Sequence, residues 1–426
     1  MIETIKNAWK IPDLRRKLLF VVFALVIFRF GYAIYVPYVD TKALADVFKQ
    51  YSDTLLGYFN TLSGGGFSQA SIFALSVYPY INSSIIMQLL QVAIPALERM
   101  VKDGGEEGRK KLASITRYVT IALSLLMGWT YYIMLRTSGV LTRTDLWSAI
   151  VIILTFTAGS SFIMWLGEQI NSKGVGNGIS LILFASIVSR GPSAVMSIIN
   201  GLKSGSMNVI SVIVILVVAV AMIAFIVFIT NAERRIPIQY AKRMVGRKMY
   251  GGQSTHLPMK VNMSGVMPVI FASSIVTFPG TIIQFLNPEE GSFWSNFGKA
   301  FSQGSLAYII VYALLIVGFA YFYATIQFNP IEVSNNLKRN GGFIPGFRPG
   351  KPTTDFIAKV LGKITLMGAL FLGIVAILPL IMSNIKGLGG LAIGGTSVLI
   401  LVGVALETVK QVEAQMLMRH YKGFLE

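Results

Sequence analysis

Ten stretches of mostly apolar residues, each roughly 20 residues long, divide the chain. A helix needs about 20 such residues to cross a bilayer, and water is absent from the hydrocarbon, so a spanning segment must satisfy its own backbone hydrogen bonds. The sequence therefore predicts an all-α polytopic membrane protein with ten transmembrane helices. The approximate bounds are 18–36, 72–94, 114–135, 147–167, 178–198, 209–230, 265–286, 306–328, 362–382 and 390–410.

Charge and residue counts exclude several kinds of protein. Charged residues make up only 13% of the chain, against about 25% in soluble domains. The sequence has no cysteine, which rules out disulfides, thiolate metal sites and cysteine nucleophiles. The two histidines, His256 and His420, lie in polar segments. We therefore expect no catalytic residues, no metal site and no cofactor.

The distribution of basic residues predicts the orientation. An even number of spans places both termini on one side of the membrane. Segments on that side carry 28 of the 37 Lys and Arg residues, the opposite side carries 8, and Arg29 lies within the first run. Cytoplasmic loops of membrane proteins are enriched in Lys and Arg, so both termini are predicted to be cytoplasmic.

Ten spans divide into two sets of five, residues 1–205 and 206–426. Because five is odd, the second set enters the membrane upside down relative to the first, and homologous halves would form an inverted repeat. The start of the second run, Ser71-Ile72-Phe73-Ala74, resembles Val269-Ile270-Phe271-Ala272 in the seventh. Chance similarity between apolar helices explains this match equally well.

The segment near 58–71 is too polar and too rich in glycine to span lipid, yet it contains Phe59, Leu62 and Phe67. Non-helical backbone at membrane depth occurs only where protein or a water-filled cavity surrounds it. Two interpretations are open: a re-entrant piece that lines or blocks a pore, or an outer loop with a glycine hinge. Pro79 follows within the second run and is expected to bend that helix.

Small polar side chains occur in the second and seventh apolar runs. Such side chains let helices approach closely and hydrogen-bond across an interface. Taken in isolation, these residues favour ordinary helix association over a functional opening. They are Asn82, Ser83, Ser84, Ser273, Ser274 and Thr277.

Two long basic loops, residues 231–264 and 329–361, follow the sixth and eighth runs. In the second loop, the apolar residues Phe343, Ile344 and Phe347 flank Arg348 in a turn rich in glycine and proline. A basic tip with apolar neighbours is suited to docking on an acidic protein surface or on RNA phosphate. The alternative is a positively charged loop that contacts only anionic lipid.

Four stretches resemble the SecY family, which forms the channel subunit of the bacterial Sec protein translocase, and the resemblance covers essentially the whole chain. They are SIFALSVYPYINSSIIMQLL at 71–90, WLGEQ with GNGIS between 165 and 180, QSTHLPMKVNM at 253–263, and GFIPGFRPG at 342–350. The resemblance implies an hourglass pore that conducts unfolded secretory polypeptides and releases signal sequences or transmembrane segments sideways into the cytoplasmic membrane.

The resemblance also implies residue roles. The segment near 58–71 corresponds to the family's plug, with Phe59, Leu62, Gly64, Gly65, Gly66 and Phe67 as candidates. The aliphatic pore ring maps onto Val77, Ile81, Ile179, Leu183, Ile270 and Ile400. The second and seventh spans, with their six small polar residues, correspond to the lateral gate. Partner docking maps onto Arg243, Arg247, Lys248, Arg348 and Lys351.

The implied partners are SecE-type and SecG-type small membrane subunits, the SecA motor ATPase, the ribosome, a secretory preprotein with its signal peptide, and anionic lipids. No nucleotide-binding loop occurs in the sequence, so the driving force must come from another protein or a gradient.

Three other functions are alternatives to a protein-conducting channel. A small-solute transporter predicts a polar site at the membrane midplane. An intramembrane protease needs a Ser–His pair, an Asp pair or a metal. An insertion-only machine would share the gate without needing a plug.

Overall fold

A computed structural model describes residues 2–50, 60, 63–205, 208–240, 243–245, 248–250, 254–286, 292–301, 305–383 and 395–422. Helices dominate these residues, and each of the ten predicted runs contains one. The all-α class predicted from the sequence is therefore confirmed. The helices before the first strand are α1 (Ile2–Lys10), α2 (Pro12–Gly31), α3 (Thr41–Gln50), α4 (Tyr78–Ala93), α5 (Pro95–Asp103), α6 (Gly105–Thr137), α7 (Leu146–Lys173), α8 (Gly178–Val188), α9 (Gly191–Lys203) and α10 (Val209–Asn231).

The second part of the chain contains strands as well as helices. Its strands are β1 (Glu233–Tyr240), β2 (Arg243–Val245), β3 (Lys248–Tyr250), β4 (Ser254–Lys260) and β5 (Gly342–Phe343). Its helices are α11 (Met267–Leu286), α12 (Phe293–Ala300), α13 (Leu306–Gln327), α14 (Pro330–Arg339), α15 (Lys351–Ser383) and α16 (Gly395–Lys422).

Six helical segments of the described residues are long and apolar enough to cross a membrane. A seventh joins them if α4 and α5, which meet at an angle of 96°, are counted as one broken span. Helix α2 carries Asp13, Arg15, Arg16, Lys17 and Arg29, which lowers its apolar character. The structure thus supports a multi-pass membrane protein, and the full count of ten crossings stays a prediction.

The chain forms two compact units. The first comprises Met1–Met207, Thr277–Gln303 and Val404–Glu426, and the second comprises Asn208–Val276 and Gly304–Gly403.

The first unit has an aromatic core between α6 and α7. Tyr131 of α6 and Phe156 of α7 are buried there with their ring centroids 4.9 Å apart. Towards the other end of the same helices, Arg117 Nε donates a hydrogen bond of 2.8 Å to Glu168 Oε1. This ion pair explains the carboxylate that ends the fourth span, because it joins α6 to α7.

The two ends of the chain meet in the first unit. Ala8 and Leu14 pack with Val412 of α16 in a small apolar cluster. Thr4 Oγ1 donates to Glu413 Oε1 at 3.0 Å, next to this cluster. These contacts place the N-terminal helix against the last helix.

A small sheet domain lies within the second unit, with strand order β4–β1–β5 and antiparallel pairing throughout. Strand β1 alternates, because Ile236 and Ile238 are buried while their neighbours in the strand are more exposed. These two side chains form a core with Met259 of β4, Leu337 of α14 and Ile344. The two basic loops therefore fold together, which the sequence patterns did not predict.

The burial of Ile344 corrects one expectation. The sequence indicated an apolar docking tip around Arg348, but Ile344 is only 2% exposed and belongs to the core of the sheet domain. Phe347 packs on Phe356 with ring centroids 4.2 Å apart. These apolar residues hold the turn in place, and Arg348 remains exposed at its surface.

Helices α7 and α8 form a tight hairpin at the WLGEQ and GNGIS motifs. The Gly178 amide donates to Asn171 Oδ1 at 2.7 Å, and Asn177 Oδ1 accepts from the Ile179 and Ser180 amides. A Cβ added at Gly178 would lie 2.1 Å from the Gly167 carbonyl oxygen. Only glycine permits this approach, which fixes the position of Ile179 at the start of α8.

Replacing Gly178 with Ala should destabilise the protein by about 1–3 kcal/mol, the usual cost of forcing an extra group into a packed site. The measurement is the melting temperature of the purified protein in detergent. The control is Gly191→Ala at the start of α9, where an added Cβ meets open space. Equal melting temperatures for the two variants would contradict the hairpin argument.

Candidate functional site

The six candidate pore residues are divided between the two units. The first unit supplies Val77, Ile81, Ile179 and Leu183, all of which are buried. The second unit supplies Ile270 in α11, which is half-buried, and Ile400 in α16, which is buried. Every one of these side chains is aliphatic, so the set offers neither hydrogen bonds nor charge.

The start of α4 affects the ring assignment. Val77 precedes the helix as its N-cap, and Ile81 lies one turn inside it. Ile85 follows four residues later on the same helical face and is 4% exposed. Ile85 lies about 6 Å further along the helix axis than Ile81, and the two residues share one buried apolar face of α4.

The position of Pro79 corrects a second expectation. It occupies the first turn of α4, where the missing amide proton has no helical partner to lose. Residues 72–77 form turns before it. Helix α4 therefore begins at Tyr78, directly before this proline, and the proline does not bend it.

The candidate plug is described at Asn60 and from Ser63 onward, whereas Phe59 and Leu62 lie outside the described residues. The Asn60 carbonyl accepts hydrogen bonds from the Gly65 amide at 2.8 Å and from Ser63 Oγ at 3.2 Å. Asn60 Oδ1 accepts from the Ser68 amide at 2.9 Å. The segment therefore satisfies many of its own backbone groups without forming a regular helix.

Close backbone contacts seat this segment in the first unit. Gly64 has φ +67°, and a Cβ there would lie 2.9 Å from the Ser186 carbonyl oxygen at the end of α8. The neighbouring Gly65 also has a positive φ, and Gly66 lies against the ring of Tyr32. Close contacts thus explain the glycines at 64 and 66, and the positive φ explains the glycine at 65, where an added Cβ would meet open space.

Short backbone pairings connect the end of this segment to the residues that follow α2. The Val36 amide donates to the Ala70 carbonyl at 2.9 Å, and the Ile72 amide donates to the Ile34 carbonyl at 3.0 Å. Ala70 and Ser76 have φ values of 44° and 50°, which residues with a Cβ rarely adopt. These bonds and strained residues define the connection between the plug segment and α4.

The candidate gate residues differ in their contacts. Ser83 Oγ donates to the Thr116 carbonyl of α6 at 2.7 Å and so joins α4 to α6. Ser84 Oγ accepts from Gln88 Nε2 within α4, and Asn82 is half-buried. In α11, Ser273 Oγ donates to the Ile270 carbonyl at 2.8 Å.

The two other gate candidates lie further along α11. Ser274 is buried. Thr277 is described only as part of the helix backbone.

Four of the five candidate docking cations lie among the described residues. Arg348 is exposed on a turn that Thr353 Oγ1 closes by donating to the Arg348 carbonyl at 2.8 Å. Lys351 is exposed as the first residue of α15, not in the preceding loop. Arg243 and Lys248 belong to the paired strands β2 and β3, and Arg247 lies outside the described residues.

The interpretation of Arg29 also changes, because this residue lies in the last turn of α2 and not deep within a span. Its Nη1 donates to Ser189 Oγ at 3.3 Å, and its guanidinium lies 5.4 Å from the centre of the Tyr32 ring. A cation near a helix C-terminus is favoured by the helix dipole. Arg29 therefore has a structural role at the end of this helix.

Sequence comparisons identify relatives over the full length. The SecY family model matches residues 71–409. Protein translocase subunit SecY of Streptomyces coelicolor is 42% identical over 443 positions, covering 100% of both chains. The same subunit of Halalkalibacterium halodurans is 44% identical over 440 positions, also covering 100% of both, and that of Thermotoga maritima is 42% identical, covering 98% of the relative.

Solved structures share the fold. One described as the structure of a protein-conducting channel has a TM-score of 0.66 and 19% identity, covering 94% of this chain and 92% of the other. One that describes the plug domain of SecY as stabilising the closed state has a TM-score of 0.68, 18% identity and the same coverage. With full-length relatives above 40% identity and a family match over most of its residues, this chain belongs to the SecY family.

Proposed function

We propose that this chain is a protein-conducting channel of the bacterial cytoplasmic membrane, with both termini in the cytoplasm. It carries unfolded secretory polypeptides across the membrane and releases signal sequences or transmembrane segments sideways into lipid. The observation that carries the proposal is the full-length similarity to protein translocase subunits. The aliphatic character of the candidate ring supports it physically.

An aliphatic ring suits a pore that must pass any polypeptide and still hold back ions. Six apolar side chains at a narrow waist give an ion nothing to replace its hydration shell, so a closed constriction can dewet. They also form no hydrogen bonds that would retain a particular sequence. We assign this role to Val77, Ile81, Ile179, Leu183, Ile270 and Ile400.

We assign the role of the plug to the segment near 58–71. Its internal hydrogen bonds around Asn60 support movement as one body, because they do not depend on the wall that surrounds it. The halves 1–205 and 206–426 would each supply one side of the lateral gate, through α4 and α11. Hydrogen bonds between small polar side chains in membranes average under about 1 kcal/mol, so a hydrophobic segment could displace them.

The proposed partners are SecE-type and SecG-type subunits, the SecA motor or the ribosome, the preprotein and anionic lipids. The exposed cations of the sheet domain support docking of an acidic protein or RNA surface, since opposite charges speed and orient association. A solved ribosome–channel complex from canine endoplasmic reticulum has the same fold, with a TM-score of 0.62 and 17% identity.

The function is tested by reconstituting the chain with its two small subunits and the motor ATPase in liposomes. A secretory polypeptide should become protected from protease only when its signal sequence is intact. Arg348→Glu should reduce this ATP-driven export several-fold, because it places a repelling charge on the docking surface. Lys359→Glu, at another exposed cation of α15, is the control. Normal export by Arg348→Glu would refute the docking role.

The ring assignment is tested by measuring how well the resting pore resists the flow of ions. Replacing Ile81, Ile179 and Ile270 together with Gly should raise the resting conductance in planar bilayers several-fold, because the constriction widens and hydrates. The matched control replaces Ile86, Val188 and Ile275, exposed apolar residues of the same three helices. Equal conductance in the two triple variants would contradict the ring assignment.

A further inference from the structure

Tyr131 is a buried residue of α6 to which neither the ring, the gate nor the docking surface assigns a role. It is 2% exposed and lies in the middle of the first unit's aromatic core. Its hydroxyl donates a hydrogen bond to the backbone carbonyl of Phe67, a residue of the candidate plug. A buried tyrosine hydroxyl needs a partner, and here the partner belongs to the one segment expected to move.

The ring of Tyr131 contacts the same plug residue. The Tyr131 and Phe67 rings are stacked, with centroids 4.1 Å apart and planes 21° from parallel. The ring of Phe48 in α3 also contacts the ring of Phe67 edge-on, with the two centroids 5.6 Å apart. One side chain of the wall therefore supplies both an aromatic contact and a hydrogen bond to a single residue of the plug.

Several hydrogen bonds of the described part of the segment are internal to it. Within the segment, Ser63 Oγ accepts from the Phe67 amide at 3.1 Å, and Ser68 Oγ donates to the Gly65 carbonyl at 3.0 Å. These bonds can travel with the segment when it moves. The contact of Gly64 with Ser186 is a close steric approach between backbones. The contact with Tyr131 must be broken for the segment to leave.

We propose that Tyr131 is the latch of the plug. It is a positioning residue that holds Phe67 and so sets how often the plug segment moves away from Ser186 at the end of α8. The inference rests on the proposed role of segment 58–71 as the plug. The ring of Phe156 also packs on Tyr131 and helps to keep the Tyr131 hydroxyl directed at the Phe67 carbonyl.

Ser186, the residue against which Gly64 packs, can report directly whether the plug segment has moved. Ser186 is 1% exposed, and the backbone of Gly64 lies over it. Because the chain has no cysteine, Ser186→Cys creates a single thiol, and departure of Gly64 from its place against the Ser186 backbone should increase the exposure of that thiol. The measurement is the rate at which a membrane-impermeant maleimide, added from the outer side, labels this thiol in the reconstituted complex without substrate.

Tyr131→Phe keeps the ring and removes the hydroxyl. A typical hydrogen bond contributes about 1 kcal/mol, so labelling should accelerate about fivefold. Tyr131→Leu, which also removes the stacking, should accelerate it further. Tyr132→Phe makes the same chemical change at the next residue of α6 and should leave the rate unchanged.

A double-mutant cycle separates a latch from a general loosening of the core. Tyr131→Leu and Phe67→Leu each remove the ring stacking between these residues, so Phe67→Leu should change the labelling rate much less in the Tyr131→Leu background than in the parent. Additive effects would overturn the latch. So would parental labelling rates in both Tyr131 variants, or equal acceleration by Tyr132→Phe.

The assay needs no polypeptide substrate, so it is independent of the channel function. If the parent exports nothing and the Tyr131 variants still label faster, the channel proposal fails and the latch stands. If the parent exports normally and the Tyr131 variants label at its rate, the latch fails and the channel stands.

Discussion

The backbone hydrogen bonds of this chain must be completed without water wherever it crosses hydrocarbon, and most of the structure follows from that constraint. Helices complete their bonds within themselves, which is why each apolar run contains one. The segment from Ser63 to Val77 is the informative exception. It completes its bonds through Asn60, through its own serines and through pairing with the backbone at Ile34 and Val36. A non-helical segment so arranged can occupy the interior of a membrane protein and still be released.

Hydropathy and glycine content were enough to predict the helical class, the positions of the helices and the unusual segment before α4. They could not predict contacts between residues far apart in sequence. The core formed by Ile236, Met259, Leu337 and Ile344 joins two loops that are separated by two apolar runs, and no local pattern signals that pairing. Ile344 resembled a docking residue for the same reason, since an apolar side chain in a basic turn looks identical whether it is exposed or buried.

Sequence patterns were also weak at helix boundaries, and that weakness carried over to the site. Placing the start of the second run at 72 put Val77 inside a helix and suggested that Pro79 bends it, whereas α4 begins at Tyr78 with the proline in its first turn. The consequence is that Val77 lies at the N-cap of α4 and Ile81 lies one turn inside it. Tyr131 could not be found from sequence at all, because a tyrosine in an apolar helix, here next to Tyr132, carries no signal of the residue that it contacts.

The central claim is that a polypeptide passes through this chain beside Ile81. The most direct measurement places a single cysteine at Ile81 of this cysteine-free chain and another in a stalled secretory substrate, and then tests for a disulfide between them in membranes. The control cysteine replaces Ile86, an exposed residue of the same helix. We predict a disulfide from Ile81 that requires a functional signal sequence, and none from Ile86. The absence of a disulfide from Ile81, and likewise from Ile270 and Ile400, would contradict the polypeptide channel.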